Sequence, residues 1–241
     1  MSSKKEFYIK RKRRRRKIVF RRITKLVLFI GITVGLIFLI KSFFKSGSSE
    51  YKDRKSFFKS ESTIKGESRV EKLKNISVPE WVDVQLIHRH STARTGTELS
   101  DIKNIVIHYV GNPKTTAQNN RDFFDKEDTE VSSHFVVGLN GEIIQCVPLY
   151  EKSAASNERN KDSISIEVCH PDASGKFNTE TYNSLVKLTA WLLGETGLNE
   201  DNVIRHYDIT GKLCPLYFVE HEDKWNDFKS DVKTELSNFK K

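Results

Sequence analysis

Cysteine is scarce. The 241 residues contain three, Cys146, Cys169 and Cys214, too few and too scattered for a disulfide scaffold. Their odd number leaves at least one thiol free for packing or chemistry. Apolar residues make up only 37% of the chain and mean hydropathy is −0.53, which excludes a polytopic membrane protein. Acidic residues are nearly absent from the first 25 positions, where one Glu faces 13 Lys and Arg. That segment carries +12, whereas the remaining 216 residues hold 28 basic and 31 acidic side chains and carry −3. The net charge of +9 therefore describes a tail, and the body lacks the basic balance of a nucleic-acid-binding domain. No internal repeat is present. Aromatic residues, at 10%, are too plentiful for a wholly disordered chain. The length suits one folded domain with appendages, or two small domains.

The basic run RKRRRRK (11–17) is followed by an apolar stretch, residues 23–44, in which positions 26–40 carry no charge. Twenty-two residues are enough for the roughly 20 that a bilayer needs, and Lys25 and Lys41 can reach the headgroups at either end. A buried core helix is disfavoured because nothing beside thirteen cations offers it a packing surface. A cleaved signal peptide is disfavoured because no A-x-A-like site follows and the basic region is long. A nuclear or nucleic-acid-binding role for the basic run explains less than topology does. The reading is a cytoplasmic tail (1–22), a transmembrane helix in contact with membrane lipid (23–44), and an extracellular remainder. Residues 45–77, rich in Ser and charge, read as a flexible linker. A globular domain follows over 78–241.

Within that domain the pattern predicts an α/β fold, a central mixed sheet flanked by helices. Residues 84–87 and 202–206 suit short strands, and NIVIHYV (104–110) suits a central strand covered on both faces. Residues 132–139 and 142–149 flank Asn140-Gly141, a strong hairpin signal. SISIEVC (163–169) alternates, with Ile164, Ile166 and Val168 on one face and Ser165, Glu167 and Cys169 on the other. Residues 116–126 suit a helix. A longer one is expected from the Asn178 cap to Thr196, stopped at Gly197, and burying Tyr182, Leu185, Val186, Thr189, Leu192 and Leu193. A last helix over 222–237 places Trp225, Phe228, Val232 and Leu236 at helical spacing.

Among seven histidines, His108 lies near the end of the most apolar strand and His206 ends a later one; Cys214 follows eight residues on. Imidazole and thiolate are good zinc ligands, and a catalytic zinc takes three protein ligands and keeps one open position. Spacing alone leaves two readings open for these residues: a shared ion, or two hydrogen-bonded structural histidines and a small buried thiol. His88 and His90 stand two apart and suit a solvated strand face better than chelation. His170, His221 and Cys146 read as ordinary packing or surface residues, and Cys169 shares a strand face with Glu167.

The segments IVIHYVGNPKTTAQNNRDFF, VSSHFVVGLNGEIIQCVPL, DSISIEVC and IRHYDITGKLCP, in this order, resemble the zinc-dependent N-acetylmuramoyl-L-alanine amidases of the amidase-2 type. That group also takes in amidase-type phage lysozymes and peptidoglycan recognition proteins. The resemblance covers roughly residues 84–236 and is most specific at His206, Lys212, Cys214 and Pro215. It implies Zn2+ held by His108, His206 and Cys214, with Glu167 as general base and Lys212 beside the developing oxyanion. Ser133 stands where some members have Tyr, which throws more weight on Glu167. His134, at a position where the family often has His, is expected to be structural or to support the ligands. The implied activity is hydrolysis of the amide between N-acetylmuramic acid and L-alanine in peptidoglycan, outside a single-pass cell-membrane anchor facing the wall. The alternative is a peptidoglycan-binding module that keeps the fold without the chemistry; retention of all three ligand positions favours the enzyme.

Overall fold

A computed structural model describes residues 68–89 and 92–239. The basic tail, the apolar span, the linker as far as residue 67, and His90 lie outside the described residues. Among the described residues no helix is long and apolar enough to cross a membrane.

Six strands build one sheet: β1 (Asp83–Val84), β2 (Asn104–Ile107), β3 (Phe135–Val137), β4 (Ile143–Gln145), β5 (Ser163–Val168) and β6 (Val203–Arg205), in the order β1-β4-β3-β5-β2-β6. Only β3 and β4 run antiparallel. Their connection carries the expected Asn140-Gly141. Gly141 has φ +81°, and Gly138 N–H donates to Glu142 O at 2.8 Å, a backbone that a residue without Cβ adopts freely. The first strand is shorter than expected, although backbone bonding to Gln145 and Cys146 continues through Gln85 and Ile87.

The continuous apolar character of β2 has the predicted cause, since helices cover both faces of the sheet. On one face Ile105, Ile107, Ile164, Ile166 and Val168 share a core with buried side chains of α3 (Thr179–Thr196), α5 (Leu216–Glu220) and α6 (Glu222–Phe239), the last lying along α3. On the other, Val136, Ile144, Cys146 and Cys169 meet Ala117 and Phe124 of α2 (Ala117–Phe124). Alternation in β5 thus divides its side chains between two cores, and Glu167, in register with Val136, belongs to the α2 side. Each fully buried large aliphatic is worth roughly 1.5–3 kcal/mol of burial, so the two cores hold the strand ends that carry the polar residues.

Helix α3 starts and stops as its caps predict. Asn178 accepts from Thr181 N–H and Gly197 is left-handed. Its burial is wider than one face, however: Leu188, Ala190 and Trp191 are also buried, while Tyr182 and Val186 are only partly so. The reason is that α3 is pressed by the sheet, by α6, and by a helix that the sequence reading had placed in the linker. That helix, α1 (Arg69–Lys74), has Ser68 as N-cap and buries Val70 and Leu73 in the main core. Arg69 Nε and Lys72 Nζ donate to the carbonyls of Thr196 and Glu195, at 2.9 and 2.7 Å, closing the carboxyl end of α3. The linker reading is therefore corrected at residues 68–77. Two apolar side chains among charged neighbours carry a weak local signal; the anchorage is tertiary.

Candidate metal centre

Strands β5, β2 and β6 are parallel neighbours, so their carboxyl ends open on the same edge of the sheet, the edge where open α/β sheets hold ligands. The pairing register sets Ile107 opposite Arg205. The residue that follows each strand is a histidine, so His108 and His206 emerge side by side despite a gap of 98 positions. Their ring centroids lie 4.6 Å apart. His206 proves to be the first residue of α4 (His206–Thr210) rather than the last of a strand. That short helix ends at left-handed Gly211, and the returning chain is tied by Tyr207 N–H to Cys214 O at 2.9 Å. This closure brings Cys214 back beside both rings.

The ligand atoms of His108, His206 and Cys214 all lie within 4.8 Å of one another. Cys214 Sγ is 3.9 Å from His108 Nδ1. Two ligands of one tetrahedral zinc stand roughly 3.3–3.8 Å apart, from bond lengths of about 2.0–2.3 Å, so the spacing is of the right size. All three side chains are buried, at 1, 7 and 2% exposure. His206 Nε2 lies 2.9 Å from Asn157 Oδ1, which only accepts, so the ring proton is on Nε2. Its Nδ1 lone pair is then buried without any hydrogen-bond partner. An orphaned nitrogen beside a thiol and a second imidazole is a donor set that suits a soft-tolerant divalent cation. His108 Nε2 lies 3.0 Å from Ser156 Oγ, which leaves its Nδ1 toward the sulfur.

Electrostatics point the same way. Burial holds His108 well below its ordinary pKa, reinforced by His206 and Lys212. Burial and Lys212 also lower His206. Both rings are therefore neutral, as ligands must be. Burial pushes the Cys214 thiol up to about 12, opposed by a hydrogen bond from Tyr109 N–H and by Lys212. A cation binding here displaces that proton.

Glu167 stands one residue from the end of β5, half-buried, with Oε2 shielded and unpartnered. Burial, partly offset by the charge of Lys212, raises it to about 8. Lys212 itself is exposed. His108, Glu167, His206, Lys212 and Cys214 line a single cavity of about 490 Å³. Phe123 and Val131, at 47 and 46% exposure, form an apolar rim on the α2 side. The five predicted site residues are thus brought together. His134 is not among them: it is fully buried, its Nδ1 accepting from Ser165 N–H at 3.0 Å and its Nε2 donating to Glu151 O at 2.8 Å. Ser133 turns away, donating to Phe135 O. His88 is exposed and bonded to Asp125, while His170 and His221 bond to nearby backbone carbonyls.

Sequence reasoning missed three residues. Ser156 and Asn157 hold the two histidines from behind. Arg205 is buried between Asp208 (2.9 Å) and Glu222 (2.6 Å), donates to Phe218 O, and lies 5.2 Å from the Trp225 ring centre. It fixes the turn on which His206 sits. A basic residue immediately before a candidate ligand was the available signal; for the Ser-Asn pair, inside a polar loop, there was none.

Residues 98–216 match the family model described as Amidase_2: N-acetylmuramoyl-L-alanine amidase. The chain is 31% identical over 165 residues to N-acetylmuramoyl-L-alanine amidase BlyA of Bacillus subtilis (strain 168), and 29% identical over 162 residues to N-acetylmuramoyl-L-alanine amidase CwlL of Bacillus licheniformis. Each alignment takes in 60% of this chain but 44% of the relative, so the chain spans less than half the length of these proteins. Among solved structures, the catalytic domain of XlyA superposes with a TM-score of 0.55 at 27% identity, covering 63% of this chain and 98% of that one.

Proposed function

We propose, from the premise that residues 98–216 are an amidase-2 domain, that this chain is a zinc hydrolase. Its substrate is the amide joining N-acetylmuramic acid to L-alanine in peptidoglycan. The observation that carries the reading is the convergence of His108, His206 and Cys214, with the His206 Nδ1 lone pair orphaned, beside the unpartnered Oε2 of Glu167.

Zinc held by those three residues would supply Lewis acidity toward a water and the scissile carbonyl. Glu167 does the proton work. Its raised value, which already includes the pull of Lys212, lies near neutrality, where a base best combines ionisation with driving force; the charge of a cation held beside it would lower it further and favour the carboxylate. Oε2 takes a proton as water oxygen bonds to the carbonyl carbon. The same oxygen returns that proton to nitrogen as the C–N bond breaks, leaving a free amine on L-alanine and, on the sugar, a carboxylic acid that keeps the water's second proton until it ionises to solvent. Lys212, on the cavity wall, offsets negative charge gathering on the carbonyl oxygen. The Phe123 and Val131 rim lies against the substrate and limits water on that side.

The proposal extends to topology. Fifteen uncharged residues behind a +12 tail support a single-pass anchor with the enzyme outside. A tether holds the catalytic unit at high effective concentration near a wall lying directly beyond the membrane. The test is digestion of purified wall with the detergent-solubilised full chain, with and without chelator. New amino-terminal alanine ends, lost with chelator, are expected. Wall binding with no new ends would instead support a recognition module.

A further inference from the structure

The two histidines of the metal centre follow the ends of different strands, yet both are held by adjacent residues of one turn. Ser156 Oγ meets His108 Nε2 at 3.0 Å, and Asn157 Oδ1 meets His206 Nε2 at 2.9 Å. The turn is itself built to hold these side chains still. Asn157 has φ +51°, a left-handed backbone that Asn tolerates better than other side-chain-bearing residues. Asn160 Oδ1 accepts from the N–H groups of both Ala155 (3.0 Å) and Ser156 (2.6 Å), locking the strap that enters the turn.

We infer that Ser156 and Asn157 are positioning residues that fix the ring planes of both histidines, and Asn157 the tautomer of His206, and thereby set the affinity of the site for zinc. The inference rests on the proposed reading that zinc occupies this centre. An amide oxygen accepts and never donates, so Asn157 commits His206 to the Nε2–H tautomer and aims its Nδ1 lone pair at the cavity. A hydroxyl can accept or donate, so Ser156 holds the plane of the His108 ring through Nε2 and leaves Nδ1 toward the sulfur of Cys214. Metal-bound histidines depend on such partners for orientation and basicity, and losing one costs about 10–100-fold in metal affinity.

The experiment measures the zinc Kd of the full chain by competition with a chromogenic chelator, together with imidazole nitrogen chemical shifts of the metal-free chain. Asn157→Gly keeps a residue at ease with positive φ and deletes the acceptor; it is expected to raise Kd by about 10–100-fold and to abolish the single-tautomer signature of His206. Asn157→Asp keeps both the backbone tolerance and the acceptor, and should hold Kd within a few-fold of the parent. Ser156→Ala should weaken zinc by about 10-fold and loosen the His108 signature alone. Should the glycine variant fail to fold, Ser156→Ala decides by the same two readouts. Parent-like Kd and tautomer signatures in Asn157→Gly and Ser156→Ala, while the parent chain binds zinc, would overturn the inference and leave the proposed function standing. A parent chain that binds no zinc would overturn both.

Discussion

Acidifying the metal-free protein from pH 7 to pH 4.5 should remove about 2.5 kcal/mol of stability through His134 alone. The figure follows from its surroundings. His134 is fully buried, and burial pushes its pKa down to about 4 against the weaker pull of Glu151, through both its backbone carbonyl and its carboxylate charge. Its Nδ1 accepts from Ser165 N–H while Nε2–H donates to Glu151 O. A second ring proton would have to sit on Nδ1, facing another donor, and would strand the Ser165 N–H. The folded pKa lies below the unfolded value of about 6.5, so the unfolded chain binds more protons between pH 6.5 and 4. The stability is fully present above about 6.5 and is lost as pH falls through that window. Urea unfolding at pH 7.0 and 4.5, in chelator, on the parent and on His134→Gln reads the effect as a difference of differences. The variant should be weaker at pH 7, by about 1–3 kcal/mol, but should lose roughly 2.5 kcal/mol less on acidification. The titrations of His108 and His206 are common to both proteins and cancel. Parallel losses in parent and variant would refute the reasoning, because a proton would then reach His134 as easily in the fold as in the unfolded chain.

Leu73→Ala should cost about 2 kcal/mol or more in denaturant unfolding, since Leu73 is 3% exposed in the main core; a solvated linker at this position predicts no change. A chain beginning at residue 78 should accordingly unfold earlier than one beginning at residue 67, as read by the same assay. Glu167→Gln should retain zinc but release alanine amino ends from wall at a rate lower by about 10²-fold or more; near-normal turnover would remove Glu167 from the role of base.

Much of this architecture is legible in the sequence because the signals are local and mutually consistent. The caps at Asn178 and Gly197, the Asn140-Gly141 hairpin and the alternation in SISIEVC each specify a backbone, and the structure contains all three. The strand ends carrying His108, Glu167 and His206 were likewise readable as strand ends. Their convergence was not, because it depends on β2 lying between β5 and β6, and strand order is a property of the whole sheet. Only the resemblance to the amidase-2 group supplied it beforehand. What escaped notice was what answers to tertiary partners alone. Helix α1 has just two apolar residues, and its hold on the carbonyls of Glu195 and Thr196 has no local trace. Ser156 and Asn157 sit in a loop whose polar composition is that of any loop. Arg205 looks like a surface cation until Asp208, Glu222 and Trp225 close around it.

The central claim is that two imidazoles and one thiolate hold a single zinc ion. Elemental analysis of the full chain, purified with trace zinc and dialysed against metal-free buffer, tests it most directly. About one zinc per chain is expected in the parent, and none in His108→Ala or Cys214→Ser, with wall hydrolysis lost in step. A parent chain that hydrolyses wall at full rate while holding no metal, or a Cys214→Ser chain that retains its zinc, would contradict the account.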